Sequence, residues 1–288
     1  MNENKIKDIF KKLDIRVNGI NKASNSFNSN VYIITTDCGK YVLKISNSEK
    51  KMIVESKYMR YLSTYLSTPK VIDTGVIDEK NYIVMTFVEG DNKLDEEGNT
   101  LSDNQIKNVG ILLGKLHKAP LIDEDNNSWI KYLNDTLEKT QEILKQVFGK
   151  DNAIIYNYLK KFIINELDNN YKNVILHMDY RIGNLIFNDD DVTLIDMESM
   201  KNGDYVFDFV KTNRVLTKCK FKLLLDGYKL VSDIGDNFVN RLNFYSLFDS
   251  YTSLWWSASR GRTDSDFYKL NYKIVMEYLD ILNEKGYI

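Results

Sequence analysis

The sequence predicts an α+β fold, with strands concentrated in the first third of the chain and helices in the remainder. Three observations support this prediction. β-Branched residues alternate with other residues from about 15 to 46, and two further apolar segments follow Pro69. After Glu89 and Gly90, apolar residues instead recur at helical spacing. We therefore expect a β-rich N-terminal lobe over 1–88 and a mostly helical C-terminal lobe over 89–288.

The N-terminal lobe is expected to contain two strand pairs and one helix. VYIITT and KYVLKIS flank a turn over 37–40, which predicts a hairpin. Ser48 precedes a stretch that reaches about Tyr65 and is expected to cap a helix. VIDTGVI and NYIVMTFV flank a polar turn at 78–80 and predict a second strand pair. The predicted order is strand, strand, helix, strand, strand.

Helices dominate the C-terminal lobe. The apolar residues Ile106, Val109, Leu113 and Leu116 indicate its first helix, and two long helices are expected at about 129–149 and 151–168. The pattern is interrupted over 174–196, where short apolar runs alternate with polar clusters, and it then resumes to the C-terminus. The acidic run 189–191 between two of these apolar runs predicts a solvated hairpin turn.

Composition and charge exclude several classes of protein. The chain has 288 residues, and its 39 Lys and Arg against 41 Asp and Glu give a net charge of −2, which argues against nucleic acid as an obligatory partner. No apolar run approaches the ~18 residues of a membrane span, and the N-terminus lacks the apolar stretch of a signal peptide. A cytoplasmic protein without a membrane partner is therefore expected. Cys38 and Cys219 suggest neither a disulfide framework nor a zinc site.

The segment 177–184 carries the clearest chemical pattern, because it reads H-x-D-x-x-x-x-N and is followed by an apolar strand that ends at Asp196. This is the catalytic and metal-binding arrangement of kinases. Phosphoryl transfer needs one carboxylate to orient the acceptor hydroxyl and receive its proton, and oxygen ligands to hold Mg²⁺. Asp179 suits the first role, and Asn184 and Asp196 suit the second. The alternative is that Asp179 and Asn184 are turn residues and Asp196 only ends a strand.

Lys44 and Glu55 are predicted to form the ion pair that such a site needs on its nucleotide side. Lys44 lies on the strand KYVLKIS, and Glu55 shares a helix face with Met52, Met59 and Leu62. A carboxylate on an apolar face needs a partner, and Lys44 is the natural one. In kinases a strand lysine and a helix glutamate pair in this way to position the α- and β-phosphates. The alternative is a surface lysine and a glutamate at the helix edge.

Together these segments resemble the aminoglycoside phosphotransferase family, a small-molecule branch of the protein-kinase-like fold. HMDYRIGNLIF and LIDMES resemble its H-G-D-x-x-x-x-N and I-D-[FW]-E signatures, and GDYVFDFV resembles its G-D-P-x-x-D-L-A. FVEG resembles the connection between its lobes, and LLGKLHKA its first large-lobe helix. The resemblance extends from about residue 20 to 260 and implies a two-lobed fold with nucleotide bound between the lobes.

The resemblance also implies roles for individual residues. Asp179 would be the catalytic base or orienter, Asn184 and Asp196 the Mg²⁺ ligands, and Lys44 with Glu55 the contact to the nucleotide. Backbone groups of three successive residues would face the purine, namely Thr86, Phe87 and Val88.

Four departures from the family pattern are visible. Met178 replaces a glycine, Tyr205 replaces a proline and Met197 replaces an aromatic residue. The phosphate loop over 24–30 lacks glycine, so side chains such as Ser26 and Asn28 would have to contact the phosphates.

Structural roles are expected for four other polar residues. His177 is expected to brace the catalytic loop by hydrogen bonding, and His117 to pack at a helix end. Asp204 is expected to cap the helix that follows it, and Asp208 to brace the catalytic loop, as the family motif implies.

The sequence thus favours ATP- or GTP-dependent phosphorylation of a hydroxyl on a small molecule, nominally an aminoglycoside-like antibiotic. Choline, ethanolamine, homoserine and sugar kinases are alternative enzymes. A kinase fold that binds nucleotide or a partner without turnover is an alternative of another class. Neither the acceptor nor the choice between ATP and GTP follows from the sequence, and the oligomeric state is equally open.

The acceptor is expected to bind near a segment at 244–268 that is rich in aromatic residues and carboxylates. Six residues at helical spacing are expected to form a core face: Phe244, Leu247, Phe248, Tyr251, Trp255 and Ala258. Asp249 and Trp256 fall off that face, and Asp264 and Asp266 follow a turn at Gly261. Free carboxylates and a free indole attract amines. We therefore expect a cationic acceptor, with Asp249 its strongest contact.

Overall fold

An antiparallel five-stranded sheet forms the N-terminal part of this computed structural model, which describes residues 2–23, 29–122, 128–167 and 171–284. The strands are β1 (Val17–Lys22), β2 (Asn30–Thr36), β3 (Gly39–Ser46), β4 (Val71–Ile77) and β5 (Lys80–Thr86), in the spatial order β1-β2-β3-β5-β4. Both predicted strand pairs are confirmed. The predicted order is incomplete, because helix α1 (Glu3–Lys12) and the edge strand β1 precede them.

Helix α1 is short, but its sequence carries a clear apolar stripe. Ile6, Ile9 and Phe10 are buried, and they join a core with Tyr32, Ile34, Leu43, Ile45, Tyr82 and Val84 from the sheet. The spacing i, i+3, i+4 is that of one helix face, and Asn2 caps the helix by accepting a hydrogen bond from the Asn4 amide. This helix was not predicted from the sequence, because most of its residues are polar and face solvent.

Helix α2 (Glu49–Leu62) follows β3 and is capped as predicted. The Ser48 side chain accepts a hydrogen bond from the Lys51 amide, and buried Met52, Glu55 and Met59 share one face. After β5 come the two-residue strand β6 (Asp91–Asn92) and a 3₁₀ turn at Asp95–Thr100. Strand β6 pairs with β8 (Leu185–Asn188), which forms a hairpin with β9 (Asp191–Leu194). The predicted hairpin turn at 189–191 is therefore confirmed.

The remaining elements are mostly helical, as expected. They are α3 (Asp103–Lys118), α4 (Ser128–Phe148), α5 (Asp151–Phe162), α6 (Val210–Val215), α7 (Lys218–Lys229), α8 (Phe238–Ala258) and α9 (Asp266–Glu284). A π-helical turn at Ile163–Leu167 continues α5, and the short strands β7 (Asn173–Leu176) and β10 (Lys201–Asp204) pair with each other. Within the described ranges, no helix is both long and apolar enough to cross a membrane.

The chain divides into two units. The first comprises Met1–Ala119, His177–Lys201 and Val215–Asp233, and so contains the five-stranded sheet, the β8–β9 hairpin and helices α3 and α7. The second comprises Pro120–Leu176, Asn202–Arg214 and Ile234–Ile288, which include helices α4, α5, α8 and α9. The predicted lobe boundary at residue 88 stays a prediction.

Candidate active site

Lys44 is the centre of a buried ionic cluster in the first unit. It lies on β3 opposite Ile83 of β5 and is 6% exposed. Its Nζ is 2.8 Å from Glu55 Oε2, 2.6 Å from Asp196 Oδ1 and 3.1 Å from Glu198 Oε2. The predicted Lys44–Glu55 pair is thus present in the structure, and Asp196 reaches the same ammonium group.

The charges of this cluster depend on one another. Burial alone would lower the pKa of the Lys44 ammonium, but Glu55, Asp196 and Glu198 outweigh it and hold that pKa above its ordinary value. Burial raises the pKa of the Glu55 carboxyl to about 7, although Lys44 opposes the shift. Lys44 therefore stays cationic, and the charge of Glu55 depends on its contact with Lys44.

Glu198 joins this cluster, although the sequence suggested no role for it. Its carboxylate contacts Lys44 and also lies 2.5 Å from the Nζ of Lys51, one helical turn before Glu55 on α2. Glu198 thereby ties strand β3, through Lys44, and helix α2, through Lys51, to the segment after β9. The position two residues after Asp196 was visible in the sequence, but its lysine partners were not.

The loop at 177–184 folds its polar residues back on themselves. The Asn184 amide nitrogen donates to the Asp179 backbone oxygen at 2.8 Å and to Asp179 Oδ2 at 2.9 Å. His177 is fully buried, and its Nε2 lies 3.0 Å from the Ile195 carbonyl oxygen. The expected bracing role of His177 is confirmed. Met178 adopts a φ of 68°, in the left-handed region where glycine has no steric penalty.

A second carboxylate, Asp95, holds the same loop from the 3₁₀ turn. Asp95 Oδ2 accepts a hydrogen bond from Arg181 Nη1 at 2.9 Å, and its Oδ1 accepts one from the Gly183 amide at 2.8 Å. Arg181 Nε in turn lies 3.4 Å from Asp179 Oδ2. Sequence reasoning missed Asp95 and Arg181, because nothing in the pattern links positions 86 residues apart.

Asn184 and Asp196 are brought close together by the β8–β9 hairpin. Leu185 pairs with Leu194, and the Ile195 amide donates to the Asn184 carbonyl at 3.1 Å. Both nitrogen-borne hydrogen bonds of the Asn184 amide go to Asp179, which leaves its oxygen as a ligand atom. Carboxylate oxygens of Glu55, Asp196 and Glu198 lie within 4.8 Å of one another. Lys44 already contacts all three of these carboxylates. The two predicted Mg²⁺ ligands, the Asn184 amide oxygen and the Asp196 carboxylate, are oxygen donors of the kind that Mg²⁺ prefers.

The predicted purine contacts lie at the end of β5. The Thr86 amide donates to the Lys70 carbonyl at 2.9 Å, so this amide is already used within the protein. For Thr86 the prediction is therefore limited to its carbonyl oxygen, and for Phe87 and Val88 it stays a prediction. The Lys40 ammonium lies 5.0 Å from the centre of the Phe87 ring and 3.3 Å from Glu89 Oε1, at the start of the chain segment after β5. Ser26 and Asn28, the predicted phosphate contacts, lie outside the described residues.

Two of the predicted acceptor-binding groups in the second unit, Asp249 and Trp256, already have partners within the protein. Asp249 is 8% exposed, and its Oδ2 accepts a hydrogen bond from Arg214 Nη2 at 2.9 Å, so its charge is already neutralised. The Trp256 ring lies 4.5 Å from the Arg260 guanidinium carbon and 5.5 Å from that of Arg262. Its indole face is therefore next to cations of the protein itself.

The other residues around α8 largely follow the expectation. Asp264 and Asp266 are exposed, and Asp266 has Lys269 at 3.6 Å. The predicted core face is buried at Phe244, Leu247, Phe248 and Tyr251, whereas Trp255 and Ala258 are half-buried.

Two further polar predictions, for Asp204 and His117, agree with the structure. Asp204 is fully buried and caps the next turn by accepting a hydrogen bond from the Val206 amide at 3.2 Å, as predicted. Burial raises the Asp204 pKa to about 6, against the opposing influence of Arg241. His117 lies in the last turn of α3, as expected, with its Nδ1 3.1 Å from the Tyr228 hydroxyl.

With this geometry in place, comparisons with known proteins identify the family. The sequence profile described as "Phosphotransferase enzyme family" matches residues 22–227, which is most of the chain. The chain belongs to the phosphotransferase enzyme family. Its enzymatic activity is therefore phosphotransfer, in agreement with the sequence prediction. A search of curated proteins finds no match.

Solved structures give the same fold. A GDP complex of a variant of aminoglycoside 2'-phosphotransferase-IIIa is 14% identical with a TM-score of 0.73, covering 99% of this chain and 98% of that chain. A thermostable mutant of APH(4)-Ia with AMP-PNP and hygromycin B is 14% identical with a TM-score of 0.72, and the match covers 98% of each chain. Macrolide 2'-phosphotransferase MphH from Brachybacterium faecium is 10% identical with a TM-score of 0.69, and the match covers 94% of this chain and 97% of that chain. The predicted protein-kinase-like α+β fold is confirmed.

Proposed function

We propose that this phosphotransferase moves the γ-phosphate of ATP or GTP to a hydroxyl of a small cationic molecule, nominally an aminoglycoside-like antibiotic. The observation that carries the proposal is the convergence of Lys44, Glu55 and Asp196 in one ionic cluster, in which Lys44 and Glu55 are buried and the Asp196 side chain is 37% exposed. The segments that supply these residues are far apart in the sequence. Ordinary ion pairs lie on the protein surface, whereas buried ionisable groups with charged partners are typical of functional sites.

We assign one part in phosphate transfer to each predicted residue of the site. Lys44, oriented by Glu55, contacts the nucleotide phosphates. Asn184 and Asp196 would hold Mg²⁺, which would neutralise charge on the phosphates. Asp179 orients the acceptor hydroxyl and takes its proton, while the acceptor oxygen bonds to the γ-phosphorus and the bond to the nucleoside diphosphate breaks. Phe87 and Val88 face the purine through their backbone groups.

The choice of a cationic acceptor rests on two observations. The carboxylates of Asp264, in the turn between α8 and α9, and of Asp266, at the start of α9, are exposed. Among proteins of the same fold, one is solved with the aminoglycoside hygromycin B. Asp249 and Trp256 contribute less than the sequence suggested, because Arg214 and Arg260 already contact them. Choline, ethanolamine, homoserine and sugar kinases stay as alternative activities within the same chemistry.

An acceptor screen tests the proposal. The protein is incubated with Mg²⁺ and γ-labelled ATP or GTP, and with aminoglycosides, macrolides, choline, ethanolamine, homoserine and neutral sugars in turn. Label should appear on an amine-bearing acceptor and disappear when Mg²⁺ is removed. A neutral sugar as the best acceptor would contradict the cationic class. Nucleotide binding without transfer to any acceptor would favour a non-catalytic binding protein.

A further inference from the structure

Asp95 uses both of its carboxylate oxygens on the catalytic loop. One accepts the Arg181 Nη1 bond at 2.9 Å and the other the Gly183 amide bond at 2.8 Å. The Asp95 side chain is 27% exposed and that of Arg181 is 38% exposed, so the pair is partly shielded from solvent. Hydrogen bonds that involve a charged partner are stronger than neutral ones, and here two converge on one residue.

The segment that carries Asp95 is itself fixed to the same loop. Asn92 donates from its side-chain amide to the Gly183 and Leu185 carbonyls at 2.9 Å each. At the start of the 3₁₀ turn, the Leu94 amide donates to Glu97 Oε2 at 2.6 Å. Asp95 therefore projects from a rigid support, and its position determines where its partners lie.

Arg181 is shared unequally between two carboxylates. Its Nη1 makes a normal charged hydrogen bond to Asp95, whereas its Nε is 3.4 Å from Asp179 Oδ2, longer than the about 2.7–2.9 Å usual for such a bond. Gly183 makes this arrangement possible, because a Cβ at that position would lie 2.5 Å from Arg181 Nη1. The guanidinium thus lies within ion-pair distance of Asp179 but makes no short hydrogen bond to it.

A closer guanidinium would change the chemistry of Asp179. Its Oδ2 already accepts a hydrogen bond from Asn184 at 2.9 Å. If Asp95 lost its charge, Asp179 would be the carboxylate left within reach of Arg181. Arg181 would then form a full ion pair with it and compete with the acceptor hydroxyl for the carboxylate.

We propose that Asp95 is a positioning residue for phosphate transfer, which holds Arg181 in place and keeps it from forming a tight ion pair with Asp179. The inference rests on the proposed function of Asp179. Asp95 acts through Arg181 and has no contact with substrate in this account. The competing explanation is that Asp95 only braces the loop through the Gly183 amide.

Three variants separate these explanations. Asp95→Asn keeps an oxygen for the Gly183 amide but removes the charge that holds Arg181, so kcat should fall about tenfold or more while KM for the nucleotide changes less than about twofold. Arg181→Gln should lose less than this, remaining within about threefold of wild-type kcat. The double variant should turn over faster than Asp95→Asn alone, because no guanidinium is left to close on Asp179. Asp103→Asn removes an exposed partner of Lys220 and is the matched control.

Several results would overturn the proposal. They are wild-type kcat in Asp95→Asn, a larger loss in Arg181→Gln than in Asp95→Asn, or a double variant no faster than Asp95→Asn. If Asp95→Asn does not fold, the loss measured for Arg181→Gln still decides, and more than about tenfold contradicts the proposal.

Crystal structures of wild type and Asp95→Asn provide a test that needs no turnover. The distance from Arg181 Nε to Asp179 Oδ2 should shorten from 3.4 Å in wild type to below about 3 Å in the variant. An unchanged distance would overturn the inference. A wild-type protein that transfers no phosphate, together with the shortened distance, would instead refute the proposed function and leave the Asp95–Arg181 geometry standing.

Discussion

Met178 shows how one residue can carry backbone strain at the catalytic loop. Its φ of 68° lies in the left-handed region, where a side chain costs roughly 1–2 kcal/mol, and it directly precedes Asp179. The strain is local, since it belongs to the Cβ rather than to the rest of the side chain. Glycine is the residue that adopts this conformation without penalty.

We predict that Met178→Gly has a free energy of unfolding about 1 kcal/mol higher than Met178→Ala. Both variants lose the methionine side chain, but only glycine relieves the left-handed strain. Denaturant unfolding of the two purified variants measures the difference. An alanine variant as stable as the glycine variant would mean that the backbone relaxes at this position without help.

Asp204 is a buried carboxyl whose ionisation opposes folding. Its pKa rises from the ordinary 3.8 to about 6 because burial disfavours the charged form, although Arg241 and the Val206 amide favour it. A group with a raised folded-state pKa binds more protons when folded than when unfolded. Its contribution to stability is therefore greatest below pH 4 and declines as the pH rises through 6.

We predict that the stability of wild type relative to Asp204→Asn falls by up to about 3 kcal/mol between pH 4 and pH 7. The amount follows from the difference between 3.8 and about 6. Denaturant unfolding of both proteins across this pH range measures it. A difference that is constant with pH would show that Asp204 titrates at the same pH in the folded and unfolded chain.

At the scale of elements, helices α3 and α7 pack by bringing their backbones together at glycines. A Cβ on Gly110 would lie 2.0 Å from the Leu224 carbonyl oxygen, and one on Gly227 would lie 2.0 Å from the Lys107 carbonyl oxygen. These obstacles are backbone atoms, which cannot rotate aside as a side chain can. The helices must therefore separate to admit even one methyl group.

We predict that Gly110→Ala and Gly227→Ala each lower the free energy of unfolding by more than about 2 kcal/mol. Helix propensity alone predicts the opposite sign, because alanine is favoured over glycine within a helix by about 1 kcal/mol. Gly19→Ala on β1 is the control, since its Cβ would meet Thr35 at an ordinary 3.6 Å. Equal stability of the Gly110 variant and the control would show that α3 and α7 can shift apart at little cost.

At the scale of the whole molecule, the sequence predicted those contacts of the site that follow from helix periodicity or from spacing within one short segment. Glu55 lies on an apolar helix face, where a buried carboxylate requires a cationic partner. The strand pattern identified Lys44 as that partner, and the two residues pair in the structure. Asp179, Asn184 and Asp196 follow a spacing that one loop and one hairpin can satisfy. Contacts of this kind can be predicted from neighbouring residues without knowing how the rest of the chain packs.

Contacts made by tertiary packing could not be predicted in the same way. Asp249 was expected to be free, but Arg214 lies 35 residues earlier in the sequence and nothing periodic links the two. Asp95 was passed over as one acid among several in a polar stretch. Its partner Arg181 is defined only once β6 pairs with β8. Sequence shows that a buried charge needs a partner, and packing decides which partner it receives.

We propose that Asp179 of the first unit orients and deprotonates the acceptor hydroxyl during phosphate transfer. The most direct measurement compares wild type with Asp179→Asn for γ-phosphate transfer to the best acceptor and for affinity toward the Mg²⁺–nucleotide complex. We predict that transfer falls by about 10²-fold or more, because the amide cannot accept the hydroxyl proton, while nucleotide affinity changes less than about threefold. Near-normal transfer by pure Asp179→Asn protein would contradict the account.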